Sequence, residues 1–205
     1  MAWPAIGVFV GGQGRRMGGV AKGLLLHDGV PLIERVLAAC RAASAPGALE
    51  HVYLVGNAAP YAATGVPSLA DAPAGVGPIG GLRALLLRAR ELRVEAVAIA
   101  VDLPYLGGPL VRRVCLEQPG AAALAPRQAG RWQPLFARYQ PGLVLPVLEA
   151  ALAAGQSALQ AIFRGLESAP PGASRAAELA LAPDEEGALH DWDRPSDIGA
   201  CTPTS

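Results

Sequence analysis

Three short apolar runs, residues 5–10 (AIGVFV), 52–55 (VYLV) and 96–101 (AVAIAV), are spaced along the chain with amphipathic stretches between them. A strand apolar on both faces is stable only inside a sheet that is covered on both sides, so this pattern predicts a buried, mostly parallel sheet. The intervening segments supply the covers. Pro31 suits the opening of a helix whose Leu32, Ile33, Val36, Leu37 and Cys40 share a face. Pro78 opens another, with Ile79, Leu82, Leu85, Leu86 and Ala89 aligned. Further helices are expected over 109–117, 142–154 and 157–163. Strands are expected over 121–125, 132–139 and 178–182, with Pro134 placing the middle one at a sheet edge. A brief strand over 24–26 is turned by Asp28-Gly29. The fold class expected is α/β: a Rossmann-like three-layer sandwich with a mostly parallel central sheet.

A chain of 205 residues fits one domain, and no linker or repeat divides residues 1–205. Hydrophobic residues make up 52% and charged ones 17%, which excludes a disordered chain. With 17 basic and 17 acidic residues the net charge is zero, so no general attraction to nucleic acid or anionic lipid is expected. No segment reads as membrane-spanning. The opening MAWPAIGVFV has no basic residue ahead of its apolar run, unlike a secretory signal. Cys40, Cys115 and Cys201 are odd in number and scattered, which suggests neither disulfides nor a metal knuckle. A cytoplasmic protein is expected.

Directly behind the first apolar run lies GGQGRRMGGVAKG (residues 11–23), with six glycines in thirteen positions. No helix survives that density of glycine. Backbone N–H groups in such a loop can wrap an anion closely, and Arg16 and Lys22 add side-chain charge. Lys22 is also the only lysine in a chain whose other 16 basic residues are arginine. The Walker A pattern fails, because Ala21 and Gly23 flank the lysine. The dinucleotide fingerprint fails too, because Met17 stands where its third glycine belongs. On the residues alone the loop reads as a phosphate cradle, against the alternative of a surface loop with solvated arginines.

Asp102 closes the third apolar run and precedes Leu103-Pro104. A carboxylate there suits either Mg²⁺ held against phosphates or a plain loop or helix cap. Asn57, the chain's single asparagine, follows Gly56 at the end of the second run, where an ordinary turn is the alternative. Asp71 lies in a Pro/Gly-rich loop. Asp191 and Asp193 flank Trp192, and in an extended segment they point to opposite sides. His27, His51 and His190 show no metal or triad spacing. Ligands in parallel sheets bind beyond the carboxyl ends of the strands, so the glycine loop, Asn57 and Asp102 are expected along one rim.

The run GGQGRRMGGVAKGLL followed by Gly29-Val30-Pro31-Leu32 resembles the signature of molybdenum cofactor guanylyltransferases, in the nucleotidyltransferase superfamily. The resemblance continues through DAPAGVGPIGGL (71–82), AVDLP (100–104), RWQPLFARY (131–139) and DWDRPSDI (191–198), in the family's order over nearly the whole chain. It implies transfer of GMP from GTP to the terminal phosphate of molybdopterin, with release of pyrophosphate. It further implies nucleotide contacts from Gly11, Gly12, Gly14, Arg16, Lys22, Asn57, Asp71 and Asp102. Lys22, Arg16 and Asp102 carry the catalysis, and Mg²⁺ sits on Asp102 with Asp193 as a second candidate ligand. The implied partners are GTP and molybdopterin or molybdenum cofactor, with transient contacts to other proteins of that biosynthesis and a monomeric state.

The chain departs from the family at Ala21, where Asp is usual, at Val101, where Cys is usual, and at Asp191 and Asp193, where asparagines are usual. Those two aspartates look more like the ending of the related cytidylyltransferases, so CTP is the alternative to GTP. A non-catalytic nucleotide-binding module of the same fold is the alternative from another class.

Overall fold

The computed structural model describes residues 2–11, 21–44, 51–168 and 175–192. In chain order the strands are β1 (Ala5–Phe9), β2 (Leu26–His27), β3 (Val30–Pro31), β4 (Val52–Val55), β5 (Ser68–Leu69) and β6 (Ala96–Ala100). There follow β7 (Ala123–Ala125), β8 (Arg127–Gln128), β9 (Arg131–Trp132), β10 (Phe136–Tyr139) and β11 (Ala176–Glu178). The helices are α1 (Leu32–Ala43), α2 (Pro78–Leu92), α3 (Gly108–Leu116), α4 (Pro141–Ala153) and α5 (Gln160–Glu167). Seven strands form one sheet in the order β11-β7-β10-β6-β1-β4-β5.

β1 is buried at every position, between parallel β4 and parallel β6. Its side chains alternate between two cores, as a two-residue period requires. Ala5 and Phe9 face a layer built from Leu82, Leu85 and Leu86 of α2 with Leu148 of α4 and Phe163 of α5. Ile6 and Val8 face Val36 and Cys40 of α1 with Val111 and Val114 of α3. The result is a three-layer α/β sandwich around a mostly parallel sheet, as the alternation of apolar runs and amphipathic segments implies. No described helix is long and apolar enough to cross a membrane.

Three expectations are corrected. The strand expected over 132–139 is two pieces, because Pro134 falls in the turn between β9 and β10. β10 is no edge strand: it runs antiparallel between β6 and β7, and with Pro134 outside it every ladder donor is kept. Leu24 belongs to a single 3-10 turn, Lys22–Leu24, and the short hairpin is β2–β3, with Asp28 and Gly29 both at positive φ (50° and 75°). The last strand lies at Ala176–Glu178, pairing in parallel with β7, ahead of the expected 178–182.

Interior β10 carries one cation into the core. Arg138 is 1% exposed, with its Nε 3.4 Å from Glu95 Oε2. It donates from Nη1 to the Cys115 carbonyl at 3.1 Å and from Nη2 to the Gln118 carbonyl at 2.8 Å. The pair belongs to the end of β10 remote from Asp102: Arg138 is in register with Val97, near the start of β6.

Candidate active site

The carboxyl ends of β1, β4, β5 and β6 lie side by side, because these strands run parallel in neighbouring positions. Gly11 follows β1, Gly56-Asn57 follows β4, Asp71 follows β5 and Asp102 follows β6. The rim expected from sequence is therefore present. Gly12, Gly14, Arg16 and Asp193 lie outside the described residues.

Two glycines shape the middle of this rim. Gly56 has φ +101°, and a Cβ on it would stand 3.0 Å from Gly11 Cα and 3.1 Å from Gly11 N. Packing therefore requires glycine at 56. Among the described residues, a Cβ on Gly11 would meet only Gly56 Cα, at an ordinary 3.7 Å. Packing among the described residues thus does not require glycine at 11.

Lys22 is carried on its 3-10 turn beneath the end of β6. Its Nζ donates to Asp102 Oδ2 at 2.8 Å, both side chains being about four-fifths buried (20% and 17% exposed). The residues singled out as cation and anion of the site thus meet, although 80 positions separate them. The N-cap of α3 is Gly107, so Asp102 does not cap that helix; it lies in the turn that follows β6. Asp102 is also fixed through its backbone: Trp192 N–H donates to the Asp102 carbonyl at 3.1 Å. Trp192 is buried beside His27, with ring centroids 5.2 Å apart. The C-terminal segment is thereby tied across the site, with Asp191 lining the same cleft as Asp102.

That cleft, about 400 Å³, is bounded by Asp102, Asp191, Gln128, Gln133, Gln160 and Pro78. Its glutamine wall is itself braced. Gln160 Nε2 donates to the Trp132 carbonyl at 2.7 Å, and Gln128 Nε2 donates to the Glu186 carbonyl at 3.2 Å. A larger groove of about 1030 Å³ runs along α1 past Leu24, Tyr61 and Tyr105. It is walled mainly by apolar side chains and lacks Asp102.

Asp71 is half-buried, and burial pushes its carboxyl above the usual carboxylate range. Among the described residues no donor pairs with it; its Oδ1 lies 3.0 Å from where a Cβ on Gly81 would stand and 3.9 Å from one on Gly56. Asn57 is exposed at the same edge. Sequence reasoning missed Tyr61 and the glutamine wall. Gln133 sits within the RWQPLFARY block and could have been found there; Tyr61, in an Ala/Pro stretch, carried no local signal.

Residues 6–171 match the model of the MobA-like NTP transferase domain. The chain is 40% identical over 169 residues to a molybdenum cofactor guanylyltransferase from Pseudomonas putida, covering 79% of this chain and 85% of that one. The crystal structure of molybdopterin-guanine dinucleotide biosynthesis protein A from Archaeoglobus fulgidus superposes with a TM-score of 0.69 at 25% identity, covering 95% and 94% of the two chains. A 2-C-methyl-D-erythritol 4-phosphate cytidylyltransferase from Thermus thermophilus shares the fold, with a TM-score of 0.64 at 17% identity over 96% of each chain. With the glycine loop, the lysine and the strand-end aspartate in one matching stretch, the chain belongs to the MobA-like NTP transferase family and is a nucleotidyltransferase.

Proposed function

We propose that this chain transfers GMP from GTP to the terminal phosphate of molybdopterin. An oxygen of that phosphate attacks the α-phosphorus of GTP, the bond from the α-phosphorus to the bridging oxygen breaks, and pyrophosphate leaves with the bond's electrons. The observation that carries the reading is the Lys22–Asp102 pair, 2.8 Å apart at the carboxyl edge of a parallel sheet. Phosphoryl transfer of this kind needs positioning and charge neutralisation more than covalent help. Lys22 supplies a compact, mobile point charge suited to phosphate oxygens that gain charge as the bond breaks. Arg16, on the same glycine loop, serves the leaving pyrophosphate. Gly11, Gly12, Gly14, Asn57 and Asp71 hold the nucleotide.

The donors at the rim fit Mg²⁺. Asp102 already has a cationic group against one oxygen, and Asp191 lines the same cleft. No cluster of three or more metal-binding side chains occurs among the described residues. One or two carboxylates completed by substrate phosphates is the usual setting for Mg²⁺, unlike a protein-only cage. Asp102 would hold it, with Asp191 or Asp193 as the second carboxylate, and when bound it neutralises charge shared between the phosphates. The cleft beyond Asp102, with its amide wall, takes the acceptor. GTP and molybdopterin or molybdenum cofactor are the partners, and the chain works as a cytoplasmic monomer in transient contact with other proteins of that biosynthesis.

Pyrophosphate release measured with molybdopterin and each of the four nucleoside triphosphates tests the reading. GTP alone is expected to support turnover, and only with Mg²⁺. The cytidylyltransferase reading rests on the carboxylate of Asp191 in the cleft, and preferential CMP transfer would establish it. Nucleotide binding without turnover would establish the non-catalytic module.

A further inference from the structure

The backbone next to Lys22 is clamped by a tyrosine that no motif singles out. Tyr61 lies in the 3-10 helix Ala59–Thr64, which begins two positions after Asn57, and only 2% of it is exposed. Its hydroxyl oxygen accepts the Gly23 N–H at 3.1 Å. Gly23 is the middle residue of the turn that carries Lys22, closed by Leu24 N–H to the Ala21 carbonyl at 2.9 Å and Leu25 N–H to the Lys22 carbonyl at 3.0 Å. A Cβ on Gly23 would stand 2.7 Å from Tyr61 Cε1 and 2.8 Å from Val101 Cγ2. Gly23 is therefore wedged between Tyr61 and Val101, and each side of the wedge adjoins one member of the ion pair: Gly23 follows Lys22, and Val101 precedes Asp102.

We propose that Tyr61 is a positioning residue for nucleotidyl transfer, holding the Lys22 turn through Gly23 so that the ammonium is set against Asp102. Lysine has a long, flexible stem, so its head is placed only if its root is fixed. A misplacement of about 1 Å costs on the order of 100-fold in rate. The hydroxyl does not compete as a charged group: burial, with the Asp102 carboxylate nearby, keeps it protonated. Tyr61 is itself seated by Thr64, whose Oγ1 donates to the Tyr61 carbonyl at 2.8 Å. The segment that leaves β4 at Asn57 is thus mechanically joined to the turn that bears Lys22.

The catalytic part of this inference rests on the proposed transfer; the positional part does not, and the test separates them. Because Lys22 is the chain's single lysine, labelling lysine with ¹³C at Cε gives one side-chain signal. In nucleotide-free protein, Tyr61→Phe is expected to move that signal toward the position of free lysine, in the same direction as Asp102→Asn. A folded Tyr61→Phe protein with an unmoved signal overturns the proposal, whatever the enzyme's substrate. In turnover, Tyr61→Phe is expected to lower kcat about tenfold with KM for GTP within about twofold, as for loss of charge stabilisation alone. Placed on Lys22→Met, the same change is expected to cost nothing further; an equal loss in both backgrounds marks a merely structural role and overturns it. Should Tyr61→Phe fail to fold, the wild-type chain still decides: the Gly23 amide is expected to be protected from hydrogen exchange, and free exchange there overturns the proposal. A shifted lysine signal in a chain that turns over no nucleotide would instead reject the transfer reading and keep the clamp.

Discussion

Lys22 and Asp102 form a partly buried ion pair at 2.8 Å across 80 positions of sequence. The lysine arrives on a one-turn helix and the aspartate at the end of a central strand, so their meeting is a product of the sheet's topology. Lys22→Met keeps the stem and removes the charge. Turnover is expected to fall at least about tenfold, the scale of a lost charge-stabilising group, while stability changes by less than about 1 kcal/mol, as for a pair not fully desolvated. Steady-state rates together with urea denaturation check both parts. Wild-type turnover in the folded variant would remove Lys22 from the mechanism.

The Asp102 carboxylate should matter to metal dependence rather than to folding. Asp102→Asn is nearly isosteric, and its carbonyl link to Trp192 belongs to the main chain and survives. The variant is expected to need at least about tenfold more Mg²⁺ for half-maximal rate, since a hard cation loses its anionic ligand. A Mg²⁺ titration of turnover superimposable on wild type would place the metal elsewhere.

Gly11 and Gly56 should respond oppositely to the same added methyl. At Gly56 a Cβ meets the Gly11 backbone at 3.0 Å with φ at +101°, so Gly56→Ala is expected to destabilise the fold by about 1–3 kcal/mol. At Gly11 a Cβ meets, among the described residues, only an ordinary 3.7 Å contact, so the fold is expected to tolerate it. The methyl then occupies room that a purine would use, and the ratio of kcat/KM for GTP over CTP should fall about tenfold. Competition between equal GTP and CTP reads this directly; an unchanged ratio in Gly11→Ala protein would show that the base is read elsewhere.

The raised carboxyl of Asp71 has a signed consequence for stability. The folded chain holds that proton to higher pH than the unfolded chain does. Stability from this group is therefore present at low pH and falls as pH rises from the ordinary carboxylate range through the raised folded value. Asp71→Asn cannot titrate, so at pH 7 it is expected to raise Tm by about 1–2 °C, the scale of a mild gain in a chain this size. The same change should weaken nucleotide binding. Thermal scans between pH 4 and pH 8 would show the difference between the two proteins vanishing at the acid end, and a gap that persists there would refute the assignment.

Arg138 offers a contrast, a buried charge remote from the site. Arg138→Met leaves the Cys115 and Gln118 carbonyls without their donor and Glu95 without its cation. Breaking such a pair costs about 3–5 kcal/mol, a fall of about 6–20 °C in Tm for this length. Glu95→Gln added to it should recover part of the loss. Differential scanning calorimetry of the single and double variants tests this.

What was legible beforehand follows from how local each signal is. β1, β4 and β6 could be read because apolar residues on both faces are written in consecutive letters. Lys22 could be read because it is alone among arginines, and Asp102 because it closes an apolar run. The direction of β10 was not legible, since no residue within a strand states which way its neighbours run. β5 and β8 are two residues each and exist only through their partners. Tyr61 stayed hidden for the same reason: its bond to Gly23 spans 38 positions and uses a backbone group that every residue possesses.

The antiparallel placement of β10 also imposes an order on synthesis. β5, β4, β1 and β6 are complete once Ala100 has been made, yet the free side of β6 is closed only by β10, whose Phe136 lies about 36 positions further on. At about 5–20 residues per second the nascent chain carries that open edge for roughly 2–7 s. The edge is AVAIA, without charge, proline or bulge, the kind that templates pairing with another chain. Ribosome-stalled chains that have emerged from the exit tunnel to about residue 130 are therefore expected to cross-link to one another or to holdase chaperones far more than chains that have emerged beyond residue 140. The segment that supplies the cleft's amide wall is thus also the one that makes the growing polypeptide safe in a crowded polysome.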